Sequence, residues 1–488
     1  MRTAAVAFIL SMLCGAILTP LVRRLAHRFG ALDHARSSRK IHGRPIPRLG
    51  GIAIVIAFYA PLVGLLIFQT GVGQMFLAER EHVIGLFVGG LSIAALGLYD
   101  DLHGANAWKK FLVQFLVAGL LYKLGFRIEA LGNPFGDTIS LGSVSLPLTI
   151  LWIVGVINAL NLIDGLDGLA GGVALVAVTT TFLLSMQRGH PLMMLFASAL
   201  AGAIIGFLFY NFNPASIFMG DTGSMFLGFV LSTTAIQTNQ KSSTAVAVLI
   251  PAIALGLPIM DTLLAIIRRA MRGRPLFQAD KEHIHHRLMA AGLTHRQAVL
   301  VLYGFCLLLG AAAFVLTFAS SGQSALLLVV LALVAFLFLR SLGFMRLDRV
   351  TATAADRKRN RALRAAVRPL GRRLQQLRRI EEISPIIVEA AGVFGATEMS
   401  LRIGSDSIAQ TPPDDEPRTN EQEPFSSQFL VPGGKNPERT LDVKWQDGRA
   451  ELDRDTEIAI DILCEYIANA LDALQEDSRP ARALGPRT

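Results

Sequence analysis

About eleven times along the chain a run of about 20 residues carries almost no charge, and no other feature restricts the fold as strongly. A helix of that length spans a hydrocarbon core about 30 Å thick, and lipid demands that every backbone polar group be paired within the segment. The stretches are 3–22, 49–70, 82–99, 108–126, 144–160, 169–187, 191–211, 222–238, 244–266, 297–319 and 323–343. Composition agrees: of 488 residues, 52% are hydrophobic and 17% charged, with a mean hydropathy of +0.48, more apolar than a soluble core of this length. The sequence predicts an all-α polytopic membrane protein with about 11 transmembrane helices. The first stretch lacks a small-residue cleavage site and leads into a long basic loop, so it reads as a retained helix. Cys14, Cys306 and Cys464 are far apart and imply neither a disulfide framework nor a zinc cluster.

Basic loops set the orientation. The loop after the first span carries Arg23, Arg24, Arg28, Arg36, Arg39, Lys40, Arg44 and Arg48; that after the ninth carries Arg268, Arg269, Arg272, Arg274, Lys281, Arg287 and Arg296. By the positive-inside rule both face the cytoplasm, with the N-terminus outside and the C-terminus inside. Membrane orientation then accounts for the net charge of +9, and no nucleic-acid partner is expected. In this topology spans three, five, seven and nine all end at the cytoplasmic face. Those ends carry Asp100 and Asp101, the segment Asn158 to Asp167, Asp221, and Asp261 followed by a histidine cluster. Polar motifs gathered on one face predict a single site. Asp261 has two readings, a ligand-facing residue or an anchor for span nine.

Carboxylate and amide oxygens are hard ligands suited to Mg2+ or Mn2+, which bind one or two carboxylates together with substrate phosphates. The nearby basic residues suit a phosphate-bearing substrate. Gly165, Gly168, Gly171 and Gly172 leave room for a ligand close to the backbone, and Asp164 and Asp167 share a helix face if the stretch is helical. His283 and His286, at i and i+3, could hold zinc, but no cysteine lies nearby. The chemistry expected is phosphoryl transfer at a membrane surface, between a soluble nucleotide and a lipid phosphate.

The segments RKIHGRPIPRLGG (39–51), YDD (99–101), NALNLIDGLDGLAGG (158–172), NFNPASIFMGDTGS (211–224) and ADKEHIHHRLMAAGLTHRQAV (279–299) follow one another in register. In this order and spacing they resemble the polyprenyl-phosphate N-acetylhexosamine-1-phosphate transferases, over about residues 1–345. The resemblance implies transfer of a sugar 1-phosphate from a UDP-sugar to undecaprenyl phosphate, releasing UMP, on the cytoplasmic face of a bacterial inner membrane. The HIHH form at 283–286 is similar to the WecA/TagO-like group, which uses UDP-N-acetylglucosamine; the related MraY-like group usually shows three consecutive histidines.

Residue by residue, the resemblance implies Mg2+, with Mn2+ as a substitute, held by Asn161 and Asp221. It implies catalytic roles for Asp100, Asp101 and Lys110, Asp100 positioning or deprotonating the lipid phosphate. Substrate contacts are implied for Lys40, His42, Lys109, Asn158, Asp164, Asp167, His283, His285, His286 and Arg287. Single displacement by the lipid phosphate and double displacement through a phosphorylated aspartate both stay open. Expected partners are a UDP-N-acetylhexosamine, undecaprenyl phosphate and membrane lipids, with a homodimer as one assembly considered. The rival class is a cation-coupled transporter, whose broken helices also carry carboxylates, though at the midplane and not gathered at one face.

After the last span, residues 346–380 read as an arginine-dense helical linker suited to an anionic leaflet, and 381–475 as a small α/β cytoplasmic domain. Within it 383–396 and 456–474 read as helices, 399–404, FLVPGG and LDVKWQDG as strands, and 405–424 as a loop. The last helix gives a weak likeness to GAF-like sensors. No nucleophile, phosphate loop or metal cluster is apparent there, which favours regulation or partner binding. Residues 476–488 read as a disordered tail.

Overall fold

The computed structural model describes residues 2–29, 32–33, 46–67, 71–131, 139–239, 249–271, 283–344, 363, 365–404, 406–410, 425–432, 439–447, 452 and 454–477. The chain divides into two compact units, the first made of Met1–Ile267 and Phe277–Arg346 and the second of Arg268–Leu276 and Leu347–Thr488. In the first unit the helices are α1 (Arg2–Phe29), α2 (Gly50–Ile67), α3 (Gly71–Ala78), α4 (Arg80–His103), α5 (Ala107–Lys123), α6 (Ser145–Ile163) and α7 (Leu169–Gln187). They continue as α8 (Pro191–Asn211), α9 (Gly220–Asn239), α10 (Leu249–Ala254), α11 (Gly256–Met271), α12 (Ile284–Ala290), α13 (His295–Val315) and α14 (Ser321–Ser341). Two short antiparallel pairs accompany them, β1 (Leu32–Asp33) with β2 (Ile46–Pro47) and β3 (Ala130–Leu131) with β4 (Ile139–Ser140).

Among the described residues seven helices are long and apolar enough to cross a membrane: α1, α4, α6 with its preceding turn, α7, α8, α13 and α14. The expected count was higher, and the difference has local causes. α2 and α5 lie at the short limit, with 18 and 17 residues. α9 carries Asp221 in its first turn and several Ser, Thr and Gln residues. The continuous ninth span expected over 244–266 is corrected: α10 ends at Ala254 and α11 begins at Gly256. Pro258, in the first turn of α11, has no N–H to offer the Ala254 carbonyl, so the ladder is interrupted there.

α8 is the hub of the bundle, with 83% of its span buried, whereas only 11% of α14 is; Leu326, Val329, Leu333 and Leu337 of α14 are exposed, as a lipid-facing surface requires. Helix starts follow their sequence signals. Asn106 caps α5 by accepting from the Trp108 N–H at 3.3 Å, and Thr294 with Gln297 forms a capping box on α13. The segment before α2 lies along the segment before α9: Phe218 N–H donates to Pro47 O (2.8 Å), Gly50 N–H to Phe218 O (2.9 Å) and Gly51 N–H to Met219 O (2.8 Å). A Cβ on Gly51 would fall 2.1 Å from the Gly223 nitrogen, so this approach is open to glycine alone.

The second unit is an antiparallel sheet in the order β6-β5-β8-β7, made of β5 (Glu398–Ile403), β6 (Asp406–Gln410), β7 (Phe425–Leu430) and β8 (Arg439–Trp445). Three helices accompany it: α15 (365–374), α16 (Ile383–Phe394) and α17 (Arg454–Asp477). Val367, Leu370 and Leu374 of α15 join Leu441, Val443 and Trp445 of β8 and Ile460, Leu463 and Ile467 of α17 in one core. The expected helices are present, and the strands expected at 399–404 and LDVKWQDG appear as β5 and β8; the one expected at FLVPGG is corrected, since β7 runs Phe425–Leu430 and ends two residues into that segment. The loop expected over 405–424 is corrected in its first part, where β6 pairs with β5. Gly404, at φ +63°, supplies the left-handed turn that lets the chain double back.

Candidate functional site

The C-terminal ends of α4, α6 and α8 meet the N-terminal ends of α5, α7 and α9. At their junction Asp101 is 5% exposed and both its oxygens are taken. Oδ1 accepts from the Asp221 N–H (2.9 Å), and Oδ2 from the Thr222 N–H (3.0 Å) and the Thr222 hydroxyl (2.6 Å). A carboxylate of α4 thus caps α9, satisfying N–H groups that a helix start leaves open and favouring its positive end. Gly220 makes room: it has φ +67°, and a Cβ there would meet Arg48 O at 2.2 Å and the Asp101 carboxylate at 2.6 Å. Arg48 closes the joint from the first loop, its Nη2 donating to the Asp101 backbone carbonyl (2.8 Å).

Asp100, one residue earlier, points elsewhere. Lys110 Nζ lies between Asp100 Oδ2 (2.6 Å) and Asp221 Oδ2 (2.7 Å), and Asp100 Oδ1 also accepts from the Ala105 N–H. Lys109 is exposed, so of the two lysines it is Lys110 that enters the cluster. Asn161 donates its Nδ2 to Ser224 Oγ (2.9 Å), which leaves its Oδ1 as the end able to ligate. Asn158, a turn earlier, is used in packing: its Nδ2 donates to Gln114 Oε1 and Val154 O, both at 2.7 Å.

The two aspartates of the 158–172 segment also divide. Asp167 Oδ2 accepts from Asn213 Nδ2 (2.9 Å) and the Ala215 N–H (3.0 Å), tying this loop to the one before α9. Tyr303 braces the same turn, donating to Gly168 O (2.6 Å). Asp164 has no hydrogen-bond donor among the described residues and keeps part of its surface open. Burial first, then the charges of Asp221, Asp101 and Asp167, push its carboxyl up to about 8.

On the far side of Asp164 stands the histidine segment. Asp261, 2% exposed, holds it by both oxygens, bonding His283 Nδ1 at 2.9 Å through Oδ2 and accepting from the Ile284 N–H at 2.9 Å through Oδ1. Asp261, which lies within α11, thus anchors the histidine segment and not the end of its own span. His285 is 2% exposed, and neither ring nitrogen has a partner among the described residues. A Cβ on Gly165 would fall 2.6 Å from its Nε2, so this ring packs directly on the Asp164 loop. Burial, then the neighbouring His286, lower His285 to about 3, which keeps it neutral at neutral pH. His286 is half-buried with its ring 4.2 Å from that of His285. Arg287 donates to Leu342 O (3.1 Å) and lies 3.9 Å from the Phe344 ring centroid, linking α12 to the end of α14. Lys40 and His42 lie outside the described residues.

Four contributors to this architecture were not singled out from the sequence: Arg48, Thr222, Asn213 and Tyr303. Arg48, Thr222 and Asn213 sit inside the quoted motifs, but only the fold shows what they hold. Tyr303 lies in an apolar helix, and nothing in its neighbours marks it.

Asp100, Asp164 and Asp221 have one ammonium, Lys110, within the cluster. That imbalance suits a divalent cation, whose charge offsets crowded carboxylates. Among the described residues no three His, Cys, Asp or Glu side chains form a closed metal cage; Mg2+ commonly takes one or two carboxylates and completes its shell with water and phosphate, so Asn161 Oδ1 and Asp221 suit it.

Membrane-length helices whose ends gather aspartates, a lysine and a histidine segment define an integral membrane protein built for polar chemistry at the edge of the bilayer. Residues 83–239 match glycosyl transferase family 4. The chain is 41% identical over 327 residues to the probable undecaprenyl-phosphate N-acetylglucosaminyl 1-phosphate transferase of Bacillus subtilis, covering 67% of this chain and 88% of that protein. It is 36% identical to the decaprenyl-phosphate N-acetylglucosaminephosphotransferase of Mycolicibacterium smegmatis, covering 65% and 83%. It is 27% identical to the phospho-N-acetylmuramoyl-pentapeptide-transferase of Staphylococcus carnosus, covering 58% and 89%. The chain belongs to glycosyl transferase family 4, the polyprenyl-phosphate N-acetylhexosamine-1-phosphate transferases.

Proposed function

We propose that the protein transfers N-acetylglucosamine 1-phosphate from UDP-N-acetylglucosamine to undecaprenyl phosphate, giving the lipid diphosphate sugar and UMP, as the first membrane step of a surface polysaccharide. The observation that carries the reading is the pairing of Asp100 and Asp221 on Lys110, with Asp164 near enough to feel the charge of Asp221, a place for a cation and phosphates together. An oxygen of the lipid phosphate attacks the sugar-bearing phosphorus, and UMP departs with the electron pair of the broken P–O bond. Lys110 draws the phosphates in by charge, and Asp100, which fixes Lys110, orients the incoming lipid phosphate. That phosphate is largely ionised at neutral pH, so positioning outweighs proton removal. Asn161 and Asp221 would hold Mg2+, which when bound offsets charge on the diphosphate. His285, with both ring nitrogens unspent, and the half-buried His286 serve the nucleotide-sugar side. The basic loops support an active site and C-terminal unit on the cytoplasmic face.

Purified protein supplied with Mg2+, undecaprenyl phosphate and a panel of UDP-sugars should release UMP, most rapidly with UDP-N-acetylglucosamine. No release with any sugar from folded protein would sink the assignment, and a different preferred sugar would correct the donor.

Asp164 gives a pH test. An acid held at about 8 in the folded chain and near 3.8 otherwise makes the folded state bind more protons between those values, so metal-free stability falls as pH rises through that window. A divalent cation favours the ionised form and reverses the trend. Melting temperature without metal should fall from pH 6 to 8.5, Mg2+ should raise it more at 8.5, and Asp164→Asn should flatten both trends. An Mg2+ effect independent of pH in both proteins would show that Asp164 is not coupled to the metal.

The Asp261–His283 pair makes a second test. Asp261→Asn and His283→Ala should each raise KM for the UDP-sugar about tenfold, leave KM for the lipid unchanged, and show no further loss in combination. Additive losses would mean that the two residues act separately.

A further inference from the structure

Beyond the aligned region the chain carries an unusual separation of charge. Residues 346–379 hold twelve Lys and Arg against two Asp, a net of +10, whereas 380–477 hold seven basic residues against 22 acidic ones, a net of −15. The basic run begins two residues after Phe344, beyond the membrane-length α14, takes in α15 and ends five residues past it. The structure decides which way that helix faces. Val367, Leu370 and Leu374 are buried in the core of the second unit, and Gly371 packs on the Tyr466 ring. The apolar face of α15 is therefore used up inside its own domain. Arg368 and Arg372, one turn apart on the opposite face, are exposed, as are Arg378 and Arg379 just beyond. Arg373 pairs with Glu389; the other four make no ion pair among the described residues.

We propose that this arginine face holds the second unit against an anionic phospholipid surface, that of the membrane crossed by the first unit. Charge complementarity favours it, since juxtamembrane basic residues are attracted to acidic lipid. The tether favours it too: 18 residues separate Phe344 from Leu363, a reach of at most about 65 Å, which keeps the local concentration of lipid high. The net charge of the residues after 380 is negative, so the same surface disfavours attachment through the rest of the domain and leaves the arginine face as the one attracted. The proposal rests on the cytoplasmic placement of this unit given above.

The test uses the full chain in lipid nanodiscs of phosphatidylcholine with or without phosphatidylglycerol. A donor dye on Gln376→Cys, an exposed position beside the arginines, reports energy transfer to acceptor dyes on lipid headgroups. Transfer should be high in anionic discs, low in neutral discs, and lost at high salt. Each of Arg368→Gln, Arg372→Gln, Arg378→Gln and Arg379→Gln should weaken attachment about fivefold, and the quadruple variant should lose the signal while UMP release persists. Equal transfer in both disc types, or high transfer retained by the quadruple variant, overturns the proposal. A salt-sensitive signal that ignores lipid charge would mean that the basic run docks on the acidic body, and likewise overturns it. Failure of the transferase assay leaves this readout intact, because both leaflets of a disc carry the same lipid.

Discussion

Asp221→Asn is expected to reduce UMP release by about a thousandfold, the scale on which removal of one preorganised charge from a reacting phosphate or oxyanion is felt. The change keeps volume and shape, so α9 should still start at Gly220 with its N–H groups on Asp101. What is lost is a charge that Lys110 contacts at 2.7 Å and that Mg2+ would need. The loss should fall on kcat, with melting temperature changed little, because half of the Lys110 pairing survives through Asp100 at 2.6 Å. Lys110→Met should be comparably inactive, and combining the two should add little, as expected of residues that act as a unit. Turnover within tenfold of the parent in Asp221→Asn would remove this carboxylate from the chemistry.

Asp101→Ala should instead strike the fold. Three donors lose their acceptor at once, the Asp221 and Thr222 N–H groups and the Thr222 hydroxyl, in a site where the Asp101 side chain admits almost no water. Stranding buried groups of this kind costs about 3–5 kcal/mol, enough to lower the melting temperature in detergent by several degrees. Asp101→Asn keeps one acceptor oxygen and should lie between parent and Ala. Because the residue braces the site without a free oxygen to offer substrate, Asp101→Asn should recover much of its turnover when assayed cold, which Asp221→Asn cannot do. An Asp101→Asn protein of parental stability and no activity at any temperature would return Asp101 to a direct catalytic role.

This contrast marks the limit of sequence reading. Asp100 and Asp101 are adjacent, and on a helix adjacent side chains diverge by about 100°. One therefore meets Lys110 and the other the start of α9, but which is which depends on how α9 approaches α4, and no spacing within the motif contains that. The same holds for Asp164 and Asp167: a loop 46 residues further on reaches back to claim Asp167 and leaves Asp164 without a donor among the described residues. The apolar stretches were legible because lipid allows few backbone solutions. The break at Leu255 was not, although Pro258 carried its signal. In the second unit α16, α17, β5 and β8 were legible from period and turn residues, and β7 only at its last two residues, whereas β6, five residues long and at the sheet edge, has too little pattern to stand out beside Pro412 and Pro413.

Hydrophobic length and charge placement are local properties, so a helical membrane protein and the polar residues at its helix ends can be read from the chain alone. Only the tertiary structure decided the division of labour among those residues. Asp101, Asp167 and Asp261 hold helix starts and loops together, while Asp100 and Asp221 share Lys110 and Asp164 has no hydrogen-bond donor among the described residues. The reason is physical: a buried carboxylate must find donors, and the donors that claim each one come from elements distant in the chain.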